Sequence, residues 1–247
     1  MNQTNEISTA TINHFTKFKF LKCILTDKCF KPRYCLENIN HINWFKLLDI
    51  EDTKSEFPQL AYPMVCFTDL PHDKWPIHKA TYGPCVITLS EDWKLKNGLI
   101  PVIYLVHGDF MSNNLLPQCL CMAKRYCEEH KQNGYMNFVN LIIPYLKLYS
   151  EGEKRYYDER EWRYFPWKGL DHKYFTMTED EYKDKSILEM RQSELLNDHA
   201  NHLYFKFDDI VSVEVTNERE KDDIAQILST SFNISAKIAK NKITISI

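Results

Sequence analysis

The chain has 247 residues, of which 44% are hydrophobic, 26% charged and 13% aromatic. Thirty-one basic and 34 acidic residues leave a formal charge of −3, so there is no overall electrostatic footprint for non-specific nucleic-acid binding. Six glycines and ten prolines exclude collagen-like and low-complexity classes, and this aromatic content argues against disorder.

The predicted elements run as follows. Ile12 to Phe15 reads as a short strand, and Thr16 to Leu25 partly fits a helix face through Phe18, Leu21, Cys23, Ile24 and Leu25. Lys17, Lys19, Lys22, Lys28, Lys31 and Arg33 make this segment locally positive, which suits a solvated helix face or a phosphate-binding strip. Glu51 to Pro58 is a polar loop. Met64 to Thr68 is a buried strand that ends before Asp69-Leu70-Pro71. A helix over Ile77 to Tyr82 stops at Gly83-Pro84. Strands follow at Cys85 to Leu89 and Leu99 to Val106.

Leu115 to His130 and Asn137 to Tyr149 read as helices, the second kinked or interrupted at Pro144. Glu159 to Phe165 alternates with the two-residue period of a strand. The remaining segments are a helix at Ser186 to Leu196, strands at Leu203 to Phe207 and Ile210 to Val215, an amphipathic helix at Asp222 to Phe232, and a closing strand at Lys242 to Ile247. The interleaving is irregular and no βα unit repeats. The expected class is α+β with a split, mostly antiparallel sheet flanked by helices, in a single domain over 1–247. With so few glycines, no Walker loop or GxGxxG fingerprint is present, which removes P-loop and Rossmann readings.

The chain lacks a basic-then-apolar start, and its longest apolar run, Leu99 to Val106, is broken by Pro101 and too short to span a bilayer. A cytoplasmic location without membrane contact is expected. The eight cysteines are then thiols, not a disulfide framework. Cys119-x-Cys121 has the wrong spacing for a zinc knuckle, so no metal site is expected.

Four segments carry side chains suited to chemistry. In His14-Phe15-Thr16, an imidazole and a hydroxyl two residues apart share a strand face, where they can hold a ribose or serve structure. In Val65 to Pro71, Thr68 and Asp69 end a buried strand, where polar groups either meet a ligand or cap the turn. His78 and Tyr82, four apart, share a helix face, where the phenol either stacks on a planar ligand ring or packs in the core. In Tyr157-Asp158-Glu159-Arg160-Glu161-Trp162-Arg163-Tyr164, two carboxylates and an arginine line one strand face. Burying such a row is costly unless it borders a polar cleft.

Taken in order, these segments resemble the abortive-infection family typified by the first component of the bacterial AbiG system. The resemblance rests on His14 to Thr16 with Leu21 to Leu25, Val65 to Pro71, His78 to Gly83, Trp93 to Tyr104 and Tyr157 to Pro166. More distantly, the layout is similar to ADP-ribosyltransferases. The resemblance implies such a core over 12–166, completed by a strand–helix–strand tail over 170–247. It implies NAD as substrate and a toxin that passes ADP-ribose to a nucleic-acid or protein acceptor during phage infection, with a cognate antitoxin or operon partner. Glu161 would stabilise the oxocarbenium-like centre, and Glu159 would orient or deprotonate the acceptor. His14, Thr16, Phe67, Thr68 and Tyr82 would hold the dinucleotide. Arg163 would either neutralise a phosphate or pair with Glu161. A non-catalytic antitoxin or sensor module of the same fold is the alternative. A third reading is a nuclease using Asp69, Glu159 and Glu161 with Mg²⁺.

Overall fold

The structure, a computed structural model, describes residues 10–38, 59–106, 142–166 and 176–246, together with helical positions 122, 125, 126 and 129. The expected loop at Glu51 to Pro58, most of the expected helix at Leu115 to His130, and cysteines 119, 121 and 127 lie outside the described residues.

Nine strands among the described residues form one sheet. They are β1 (Ile12–Thr16), β2 (Arg33–Glu37), β3 (Leu60–Thr68), β4 (Cys85–Leu89), β5 (Ile100–Pro101), β6 (Glu161–Tyr164), β7 (Met177–Thr178), β8 (Ile210–Val215) and β9 (Ile243–Ile245). The path runs β9-β8-β4-β1-β3-β6-β5, with β2 and β7 also paired to β3. All these pairings are antiparallel except β8 with β9. The fold is therefore α+β with a mixed, mostly antiparallel sheet.

The sheet divides along β3. Residues 65–68 pair with β6, from Val65↔Tyr164 to Thr68↔Glu161, while residues 60–64 pair with β2 and residues 60–61 with β7. The change of partner falls between Met64 and Val65, the second residue after Pro63, which has no N–H to donate to a ladder. β1 enters at the other end, pairing Asn13 with Thr68 and running its full length against β4. This register brings the ends of β1, β3 and β6 side by side.

Among the described residues the longer helices are α1 (Phe18–Asp27), α2 (Trp75–Tyr82), α3 (Lys185–Asn197) and α4 (Glu218–Phe232), with three shorter ones whose bounds are complete. The main core includes Leu21 and Leu25 of α1, Ile224 and Leu228 of α4, and Ile87, Leu89, Val213 and Ile243 of the sheet. Phe30, Phe67, Trp93 and Phe205 form an aromatic cluster within it. Gly83 ends α2 at φ +129, and a Cβ there would fall 2.4 Å from the Thr16 carbonyl carbon. Only glycine lets α2 close down on β1, and that approach sets the position of Tyr82.

Three expectations are corrected. The expected helix over Asn137 to Tyr149 gives way, where it is described, to a 3₁₀ turn at Ile143–Tyr145 and a strand at Leu146–Leu148. That strand pairs in parallel with Ile103–Leu105. Pro144 breaks the helical hydrogen-bond ladder, and Leu146-Lys147-Leu148 has the two-residue period of a strand. The expected strand at Leu99 to Val106 divides into β5 and Ile103–Leu105 around Val102, whose N–H donates to the Glu161 carbonyl. Finally, β6 begins at Glu161, because Glu159 lies on a 3₁₀ turn. The described cysteines 23, 29, 35, 66 and 85 are free thiols.

Candidate functional site

The ends of β1, β3 and β6 border a cavity of about 250 Å³. His14, Phe67, Thr68, Tyr82, Glu159 and Glu161 all line it, joined by Glu37, His78 and Lys147. Two of the sequence-derived residues lie elsewhere. Thr16 is buried and lines an adjoining cavity that also contains His14. Arg163 is fully buried behind Glu161.

The carboxylates are held by a compact charge network. Arg163 donates from Nε to Glu161 Oε1 at 2.7 Å and from a terminal nitrogen to Oε2 at 3.1 Å. It also pairs with Glu37 at 3.0 Å and donates to the Pro144 carbonyl. Arg163 is thus paired with Glu161, one of the two options that the sequence offered for it. Lys147 Nζ lies 2.8 Å from both Glu159 Oε2 and Glu161 Oε2. Burial works against ionisation of Glu161, but Arg163 and Lys147 outweigh it and hold its carboxyl far below the ordinary range. Burial likewise opposes ionisation of Glu159, which Lys147 and Lys154 nonetheless hold low. Both groups are therefore carboxylates at neutral pH.

The backbone that presents them is also fixed. Arg160, at φ 46, turns the chain between Glu159 and Glu161. Its guanidinium grips the buried Asp69 at 2.7 and 3.2 Å. Thr68 donates its hydroxyl proton to the Glu159 carbonyl at 2.7 Å and accepts the Leu70 N–H at 3.2 Å. Thr68 thus braces the turn as well as lining the cavity. The Glu161 N–H donates to the Tyr104 hydroxyl at 2.9 Å. Tyr82 donates its hydroxyl to Glu159 Oε1 at 3.0 Å, and its ring lies 4.6 Å from that of His78.

The imidazole of His14 packs against Phe30 and Phe67. Burial lowers its pKa, partly offset by the Cys66 carbonyl, which lies 2.9 Å from Nδ1. A carbonyl only accepts, so Nδ1 carries the proton and Nε2 is left as an acceptor. Cys66 does not fit a nucleophile, since its hydrogen bond with the Cys35 thiol and burial push its own thiol well up. Asp69 is committed to Arg160, which takes it out of the nuclease reading. Among the described residues no group of three His, Cys, Asp or Glu side chains is placed to hold a metal, and no helix is long and apolar enough to cross a membrane.

Sequence reasoning missed Lys147, Glu37 and Tyr104. The alternation in Leu146-Lys147-Leu148 and in Tyr34-Cys35-Leu36-Glu37 was the available signal for the first two.

A family model described as "Putative abortive phage resistance protein AbiGi, antitoxin" matches residues 28–216. The chain belongs to the AbiGi family. The abortive phage resistance protein AbiGi of Lactococcus lactis subsp. cremoris is 25% identical over 199 residues, covering 72% of this chain and 73% of that relative. No solved structure matches. The matched AbiGi span contains Phe67, Thr68, Tyr82, Lys147, Glu159, Glu161 and Arg163, while His14 and Thr16 precede it.

Proposed function

We propose that this AbiGi-family protein acts in abortive phage resistance in the cytoplasm, and that its central cavity takes NAD as substrate for ADP-ribose transfer to a nucleic-acid or protein acceptor. The observation that carries this reading is the convergence of His14, Phe67, Thr68, Tyr82, Glu159 and Glu161, from four separated chain segments, on one cavity. The division of the sheet along β3 supports reading the fold as ADP-ribosyltransferase-like.

In this reading the bond between nicotinamide nitrogen and ribose C1′ breaks, and nicotinamide leaves with the electron pair. The positive charge that develops on the ribose is oxocarbenium-like, as in glycoside hydrolysis. Glu161, already ionised and aimed by two bonds from Arg163, stabilises that charge. Preorganised electrostatics of this kind is worth about 10²–10³ in rate. Nε2 of neutral His14 accepts a ribose hydroxyl. Tyr82, 41% exposed, offers its ring to the nicotinamide. The lowered pKa of Glu159 makes it a poor base, so it orients the acceptor, whose nucleophilic atom bonds to C1′ and gives its proton to water.

A second reading is favoured by one observation. Lys147 and Arg163 already neutralise the carboxylates, which suits a non-catalytic module binding an operon partner. The description of the matching family as an antitoxin fits that alternative.

NAD labelled on the adenylate phosphate, added with the purified protein to bacterial lysate, separates the two. Label transferred by wild type and lost in Glu161→Gln supports the transferase. No transfer from a folded wild type supports the binding module. Transfer that survives Glu161→Gln removes Glu161 from its role.

A further inference from the structure

The cavity beside Glu161, at about 250 Å³, falls below the roughly 300–1,000 Å³ of small-molecule pockets. A dinucleotide must therefore extend out of it, and three larger cavities share its walls. The one at Glu37 and Lys147, about 290 Å³, has Lys147 as its cation, already paired with Glu159 and Glu161, which leaves two. One, about 790 Å³, adjoins at His78, Tyr82 and Glu159. Its cations are all engaged: Lys74 with Asp73 at 3.0 Å, Lys154 with Glu159 at 3.1 Å, Arg155 with Asp158 at 2.7 Å and Arg160 with Asp69 at 2.7 Å.

The other, about 410 Å³, shares His14, Cys35, Cys66 and Tyr82 with the first. Its walls are largely apolar, with Phe20, Ile24, Phe30, Met64 and Val65 among them. Its two cations differ. Lys31 pairs with Asp27 at 2.8 Å. Arg33 is exposed and has no carboxylate partner among the described residues. Its guanidinium carbon lies 5.9 Å from the centre of the Phe20 ring.

We infer that this second cavity is the adenine and diphosphate half of the site, with Arg33 as the phosphate anchor. The inference rests on the NAD reading above and fixes the direction in which the ligand lies. An unpaired guanidinium can grip two phosphate oxygens in parallel, which an arginine already holding a carboxylate cannot do without giving up that partner. Phe20, 40% exposed, supplies a face for the purine. His14, in the shared wall, stands between the two halves of the ligand. The 790 Å³ groove, its cations neutralised, is left beside Glu159 for the acceptor.

Calorimetric titration of the full chain with ADP-ribose, with adenosine and with NAD tests this. In Arg33→Gln the Kd for ADP-ribose is expected to rise about 10- to 100-fold, the worth of a charge-assisted bond. The Kd for adenosine is expected to stay at its wild-type value, because adenosine has no phosphate. Arg33→Lys, which keeps the charge but loses the fork, is expected to fall between. Unchanged ADP-ribose affinity in Arg33→Gln overturns the anchor and leaves the NAD reading standing. Binding of neither ADP-ribose nor NAD to wild type overturns both.

Discussion

At β8 and β9 the sheet meets Ile224, Ala225 and Leu228 of α4, and its own buried residues there include Val213, Val215 and Ile243. At β6 the buried positions are Glu161 and Arg163, backed by Glu37 and Lys147. One end is closed mainly by apolar area, which stabilises by about 25 cal/mol per Å² buried, although β8 also buries Glu214, paired with Lys79. The other is closed by ion pairs, whose desolvation offsets much of their attraction, so apolar residues of similar volume would serve stability as well or better. Stability alone therefore does not call for the charged row, and its place on a cavity is consistent with the ligand chemistry proposed above.

The contrast can be broken or sharpened by substitution. The largest expected effect is at Arg163→Met, which leaves Glu161 and Glu37 without their shared cation and should destabilise by about 3–5 kcal/mol in chemical denaturation. A loss under about 1 kcal/mol would mean that the row is well hydrated. Leu228→Ala should cost about 2–5 kcal/mol through its cavity, while NAD affinity measured below the unfolding transition stays at the wild-type value. A fall in affinity there would show that the two ends are coupled. Thr68→Val removes the bonds to the Glu159 carbonyl and the Leu70 N–H and should cost about 1–2 kcal/mol. A larger proportional loss of any transfer activity than of stability would confirm that Thr68 braces the carboxylate turn.

The apolar end was largely legible in the sequence. Cys85–Leu89 and Ile210–Val215 read as strands with their observed bounds, because hydrophobic runs between breakers leave little choice. Helix α4 starts four residues earlier than its periodicity suggested, since Glu218 to Lys221 form a polar first turn capped by Asn217 and add nothing to the apolar face. The charged end was legible in residue identity but not in construction. The Glu159-x-Glu161 spacing read as one strand face. The same convergence arises from a 3₁₀ turn, a left-handed Arg160 and the Asp69 clamp, none of which leaves a periodic trace. Lys147 was hidden inside a stretch whose composition suits a helix.

The smallest expected effects are in pH dependence. The pKa of Glu161 is depressed in the folded state, so its stabilising contribution is complete above the ordinary carboxylate value of about 4.3 and is lost as pH falls below it. The melting temperature of wild type should drop below about pH 4 more steeply than that of Glu161→Gln. The pKa of His14 is also depressed, so its contribution fades as pH falls below about 6.5 toward its folded value. His14→Gln should flatten the stability profile between about pH 7 and 5. Parallel profiles for wild type and variant would mean that His14 is not buried in its neutral form.

The most direct measurement is calorimetric titration of NAD into wild type and Glu161→Gln, with free nicotinamide assayed in the same samples. Binding in both proteins, with nicotinamide released only by wild type as water takes the acceptor's place at C1′, is the expected result. No heat of binding in either protein, both folded, would contradict the assignment of this cavity to a nicotinamide dinucleotide.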